Sequence, residues 1–146
     1  MRMRSAASIL AALCLTGCGL FRPDPPEYDA VELASGVTVR DLVVPDAGLA
    51  VVAGDEVAVH YELRLRDRTL VESSRESGLP LRFHVGAGSV PLGLEQGVVG
   101  MRLFGRRRLH VPSELAFGSA GRPPRIPPDA PVVFEIELME HAPAAR

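Results

Sequence analysis

Lysine and tryptophan are absent from this chain of 146 residues, and the only two cysteines, Cys14 and Cys18, stand near its amino terminus. With both thiols there, no disulfide or cysteine-based metal cluster can staple the globular part. A basic surplus is missing too. Sixteen basic residues, all arginine, face 18 acidic ones for a formal charge of −2, so nothing in the whole-molecule charge draws the chain to nucleic acid. No apolar run reaches the ~20 residues of a membrane-spanning helix. His60, His84, His110 and His141 are scattered without ligand spacing, so no metal site is expected. No Ser-His-Asp set, paired carboxylates or glycine-rich phosphate loop can be argued, and Gly86-Ala87-Gly88 opens no nucleotide motif. What remains is 47% hydrophobic and 23% charged, too apolar for disorder and suited to one packed core. One domain is expected.

The first residues read as a targeting signal. Arg2 and Arg4 precede an apolar run over residues 6–15, the order of a secretory leader. The run ends in Leu15-Thr16-Gly17-Cys18, which resembles the lipobox of bacterial lipoproteins. An ordinary leader with an incidental cysteine is the alternative. The resemblance implies a signal peptide over residues 1–17, lipidation of Cys18 and a place in the bacterial cell envelope. Two or more acyl chains, at ~0.8 kcal/mol per buried methylene, anchor firmly where one would not. Gly19 follows the cysteine where an inner-membrane retention signal often has aspartate, which favours the outer membrane, facing the periplasm. Residues 18–35 carry Pro23, Pro25 and Pro26 among polar and acidic residues and read as an extended, lipid-anchored linker.

From Gly36 the texture changes to short alternating runs split by glycine and proline, the mark of a mainly antiparallel sheet. Strands are expected over 37–44, 56–66, 69–72, 81–85, 106–111 and 132–140. In the second, Val57, Val59, Tyr61, Leu63 and Leu65 share one face and His60, Glu62, Arg64 and Arg66 the other. One helix is expected, with Pro91 at its first position and Leu94, Val98 and Met101 as its apolar stripe. Residues 112–131 form a long loop rich in proline and glycine, and a loop of that length in so small a domain is usually functional. Arg106-Arg107-Arg108 is a candidate anionic-lipid or RNA patch, but on an alternating strand Arg107 shares its face with Leu109 and Val111, which favours an ordinary solvated edge.

Several blocks now stand in order: Val59-His60-Tyr61, Glu72-Ser73-Ser74-Arg75, Gly93-Leu94-Glu95-Gln96-Gly97-Val98 with Gly100-Met101, and Gly105-Arg106-Arg107-Arg108-Leu109. Val111-Pro112-Ser113-Glu114-Leu115-Ala116-Phe117-Gly118, Ile126-Pro127-Pro128-Asp129-Ala130 and Val132-Val133-Phe134-Glu135-Ile136-Glu137-Leu138 follow. Together, from about Gly54 to Glu140, they resemble the FKBP-type peptidyl-prolyl cis-trans isomerases. The resemblance implies an α+β fold, an FKBP-like curved antiparallel sheet or half-barrel of five or six strands around one short helix, occupying residues 36–142 with a short tail over 143–146. It implies a monomer without cofactor or metal that takes proline-containing polypeptide segments, assists protein folding, touches a membrane only through Cys18 and binds no nucleic acid.

It also implies a proline-binding cup. Tyr61, Glu72, Phe117 and Phe134 would act in catalysis, and Val71, Leu81, Phe83, Val90, Pro91, Leu94 and Ile126 would bind the substrate, with Leu94 as floor. The apolar members could equally be plain core. Here the chain departs from the family pattern. Leu94 stands where tryptophan is usual, Val71 where an aromatic residue is usual, and Glu72 where aspartate is usual. Phe117 replaces a tyrosine whose hydroxyl usually bonds the substrate carbonyl, and Pro91 lacks the amide its counterpart donates to the peptide. The expected activity is isomerisation of X-Pro bonds in exported or envelope proteins. The alternatives are a non-catalytic proline-segment chaperone and a structural envelope lipoprotein that keeps the scaffold.

Overall fold

A computed structural model describes residues 28–145; the expected signal peptide and Cys18 lie outside the described residues. Seven strands form one antiparallel sheet: β1 (Val31–Glu32), β2 (Thr38–Val43), β3 (Glu56–Leu65), β4 (Leu70–Ser73), β5 (Leu81–His84), β6 (Arg106–Val111) and β7 (Val132–Ala142). Their order is β1-β2-β6-β7-β3-β4, with β5 paired to the first half of β3 beyond the reach of β4. Residues 31–32, within the stretch read as linker, therefore already belong to the sheet.

The alternation that marks a half-buried strand holds along β7, where Val132, Phe134, Ile136 and Leu138 are all at most 3% exposed and the residues between them are partly exposed. On β3 it slips. The pairing of β3 with β7 shifts between Ala58 and Val59, skipping Met139, and Ala58 is as buried as Val57 and Val59. Such a bulge raises the local twist and helps bend a sheet towards closure.

The short helix α2 (Leu92–Val98) packs against β6. Leu94 and Val98 are fully buried, as their spacing requires. Two corrections apply to the expected helix. Pro91 caps it rather than opening it: with ψ at 137° its backbone is extended, and its carbonyl accepts from Leu94 and Glu95. Met101 is buried but lies past the helix end. The close approach of α2 to β6 depends on absent side chains. A Cβ on Gly93 would lie 2.2 Å from Val111 Cγ1, and one on Gly97 would lie 2.2 Å from Leu109 Cδ1.

A one-turn helix, α1 (Ser74–Ser77), and a 3-10 turn at Ser113–Leu115 were not expected; a single turn carries no period to read. The arginine run is not the solvated edge expected, because β6 is paired on both sides, to β2 and to β7. Arg106 and Arg108 pair with Glu135, and Arg107 pairs with Asp41 and donates to the carbonyls of Gly97 and Val99 at the end of α2, where a cation complements the helix dipole.

The end of β7 is fastened by Asp55, which is 1% exposed. Its carboxylate accepts from the amides of Val52 and Ala144 and meets His141 Nε2 at 2.8 Å. The bond to His141 and the two amides hold its pKa at about 2, below the ordinary 3.8. A depressed carboxylate stabilises the fold above its unfolded pKa and loses that contribution as pH falls through the folded one. Thermal melts at stepped pH should therefore show stability falling between about pH 4 and pH 2. Asp55→Asn should lower the melting temperature at neutral pH and remove that part of the acid limb; an unchanged limb would count against the clamp.

Candidate functional site

The predicted site residues come from four strands, from α2 with the segment leading into it, and from one long loop. β3 carries Tyr61, β4 carries Val71 and Glu72, β5 carries Leu81 and Phe83, and β7 carries Phe134. Val90 and Pro91 lead into α2, which supplies Leu94, and the loop between β6 and β7 supplies Phe117 and Ile126. Nine of these eleven residues fall into two layers. Val71, Phe83, Leu94, Ile126 and Phe134, none more than 6% exposed, belong to the continuous core, and Tyr61, Leu81, Val90 and Phe117 pack against it half-buried. Glu72 stands over them at the edge. The eleventh, Pro91, is half-buried at the helix cap. The accessible part of this site is thus its rim, while the floor is shared with the core, and Leu94 at 1% exposure is wholly packed.

The rim is a hydrogen-bonded chain. Tyr61 donates its hydroxyl to Glu72 Oε1 at 2.6 Å, and its ring lies tilted 6.3 Å from that of Phe134. Burial, and then the bond to Glu72, push the Tyr61 hydroxyl up to about 12. Glu72 moves down, first through the Tyr61 bond and then through Arg122. At neutral pH the phenol is therefore a donor and the carboxylate a charged acceptor. Glu72 Oε2 pairs with Arg122, whose guanidinium lies 5.5 Å from the centre of the Phe117 ring, within cation–π range. Arg122 thus ties β4 to the long loop. Arg125 adds a second tie, donating to the carbonyl of Val71 at 2.9 Å.

Local chemistry places these groups. Ser73 caps α1 by accepting from the Arg75 amide, and the Ser74 hydroxyl accepts from the amide of Tyr61 at 2.8 Å, pinning the backbone beneath the phenol. Glu95, 4% exposed, accepts from the Gly88 amide and fastens the turn that delivers Val90 and Pro91. In the long loop, Arg122 and Ile126 exchange two backbone hydrogen bonds around a tight turn. Gly121 precedes it at φ +61°, and a Cβ there would lie 2.6 Å from the carbonyl oxygens of Ile126 and Pro127, so glycine alone fits.

Ser74, Glu95, Arg122 and Arg125 were not singled out from the sequence as site residues. Ser74 and Glu95 sit inside the quoted blocks, where a polar residue that is to be buried needs a partner; the two loop arginines carry no periodic or spacing signal. An outer groove of about 490 Å³ runs past Tyr61, Glu72 and Leu81 to Arg125. Among the described residues no cluster of three or more His, Cys, Asp or Glu could hold a metal, and no helix is long and apolar enough to cross a membrane.

Comparison with known proteins agrees with this architecture. The pattern described as FKBP-type peptidyl-prolyl cis-trans isomerase matches residues 48–139. The chain is 42% identical over 110 residues to FK506-binding protein 2 of Kluyveromyces lactis, covering 75% of this chain and 76% of that one. It is 40% identical over 108 residues to peptidyl-prolyl cis-trans isomerase FPR2 of Saccharomyces cerevisiae, covering 73% and 80%. Among solved structures, AtFKBP13 superposes with a TM-score of 0.71 at 32% identity, covering 78% of this chain and 99% of that one. FkpA from Escherichia coli superposes at 0.70 and 32% identity, covering 80% and 53%. With the motif blocks, the bent sheet and these relatives in agreement, the chain belongs to the FKBP-type peptidyl-prolyl cis-trans isomerases.

Proposed function

We propose that this protein accelerates cis/trans isomerisation of X-Pro bonds in exported or envelope proteins and does so as a lipoprotein held by Cys18, on the periplasmic side of the outer membrane. The observation that carries the catalytic part is the pairing of a buried apolar floor with the Tyr61–Glu72 rim. Rotation about the prolyl amide crosses ~18–20 kcal/mol and no bond is made or broken. A planar amide has more charge separation than a twisted one, so apolar walls that strip its water narrow the gap, each ~1.36 kcal/mol being tenfold in rate. Half-buried Leu81, Val90 and Phe117 offer such walls and Tyr61 a polar mark for orientation. Two-dimensional exchange spectra of an Ala-Leu-Pro-Phe peptide, with and without the protein, should show faster cis/trans exchange; a rate equal to the blank at saturating protein would reject catalysis.

A second reading has its own support. Leu94 is fully packed and Phe117 has no hydroxyl, so a module that holds proline segments without turnover is also compatible with the rim; it predicts peptide-induced shifts with no gain in exchange. The anchoring has a separate test. Cys18→Ala should abolish incorporation of labelled fatty acid and release the protein from the membrane fraction.

A further inference from the structure

Glu72, Arg122 and Arg125 meet at the rim, and Glu76 lines the outer groove beside Glu72 and Arg125. Glu72 is already taken by the Tyr61 hydroxyl and by Arg122. With Glu76 in the same groove, the charges around the mouth balance, and the pull on an anion comes from the Arg122 guanidinium itself. Arg122 spends only Nη2 on Glu72, and its other nitrogens meet no acceptor among the described residues. Its side chain is 50% exposed, yet it is held at both ends: the backbone of Arg122 is locked to Ile126 and the guanidinium lies over the Phe117 ring. A planar fork of five donors, stacked and aimed, suits a carboxylate, and part of the ordering cost of binding one has already been met.

We propose that Arg122 is the specificity-determining residue of this site, selecting proline segments with an aspartate or glutamate immediately beside the proline. The proposal rests on the reading of the rim as the place where proline segments bind. An incoming carboxylate shares or takes over the guanidinium now paired with Glu72, with Arg125 a second cation near the same carboxylate. A lysine at that place in the segment meets a like charge in the Arg122 guanidinium. An uncharged isostere such as glutamine gains only a neutral hydrogen bond, the weaker kind.

The test uses two short peptide series, Ala-Xaa-Pro-Ala and Ala-Pro-Xaa-Ala, with Xaa as Glu, Gln or Lys. Exchange spectra give the rate gain and amide shifts of the protein give Kd, so preference is read even without turnover. In at least one series the Glu peptide should bind about fivefold more tightly than the Gln peptide at low ionic strength, the upper end for an exposed ion pair. The Lys peptide should be the weakest. The ratio should collapse towards one in about 0.5 M salt and in Arg122→Gln. It should persist in Arg64→Gln, which removes the same charge from a residue paired with Glu62 away from the rim. A Glu-to-Gln ratio of one in both series, a preference that survives Arg122→Gln, or failure of all the peptides to bind would each overturn the proposal. Selective binding without any rate gain would instead overturn catalysis while leaving Arg122 in its role.

Discussion

Gly97→Ala is expected to lower the melting temperature by about 5–10 °C, although alanine is the better helix former. In an exposed helix the exchange would stabilise by about 1 kcal/mol. Here the new methyl would lie 2.2, 2.6 and 2.9 Å from three carbons of Leu109, which is itself 0% exposed and has nowhere to retreat. Three such contacts on a fully buried neighbour put the cost in the upper part of the ~1–3 kcal/mol typical of overpacking, which leaves a net loss of about 1–2 kcal/mol after the propensity gain. Because Leu94 rides on the same helix, lifting α2 from β6 also disturbs the floor of the site. Thermal unfolding of Gly97→Ala, Leu109→Ala and the double variant checks the mechanism. The double variant should be less destabilised than the two single losses added together, because trimming Leu109 makes room for the methyl. A single variant melting at the wild-type temperature would show that α2 and β6 can part at no cost.

Phe117→Tyr is expected to raise the exchange rate of a bound X-Pro peptide by up to about tenfold, the worth of one neutral hydrogen bond of ~0.5–1.5 kcal/mol. Phe117 is half-buried against the core, with Arg122 over its ring, so the exchange is made in the half-buried layer and not among the fully buried floor residues. The stability should barely move. The matching change at the floor behaves differently: Leu94 is 1% exposed, so Leu94→Trp must force its neighbours apart before it can offer a ring to substrate. Exchange spectroscopy beside a melting curve separates the two. If Phe117→Tyr leaves the exchange rate unchanged, the hydroxyl has no carbonyl to meet in this site.

The sheet was legible because its signals are local and repeated. β6 begins and ends where alternation placed it, and β7 runs two residues past its expected end. Of the buried floor, Phe134 was legible by the same alternation and Leu94 by helical spacing, while Val71, Phe83 and Ile126 came only with the family resemblance. Ala58 escaped that rule because a shift in pairing is a property of two strands, invisible in either one. The rim was only half legible. Tyr61 and Glu72 lie in the quoted blocks, but Arg122 reaches Glu72 across 50 residues of chain and Arg125 reaches Val71 across 54. Those contacts depend on how a proline-rich loop folds back, which no periodicity encodes. Pro91 shows a smaller failure of the same sort: its fixed φ suits both the first helical position and the cap, and its ψ was settled by the preceding turn, fastened to Glu95.

The division between a floor that belongs to the core and a rim that belongs to a loop bears on how such a protein diversifies. Exchanges at Leu94 or Ile126 are filtered by whether the domain still folds, so drift there is slow. Exchanges at Arg122, Arg125 or Phe117 touch partly exposed groups and escape that filter. Descendants of this chain can thus acquire new clientele by editing a few loop positions while inheriting the same scaffold unaltered.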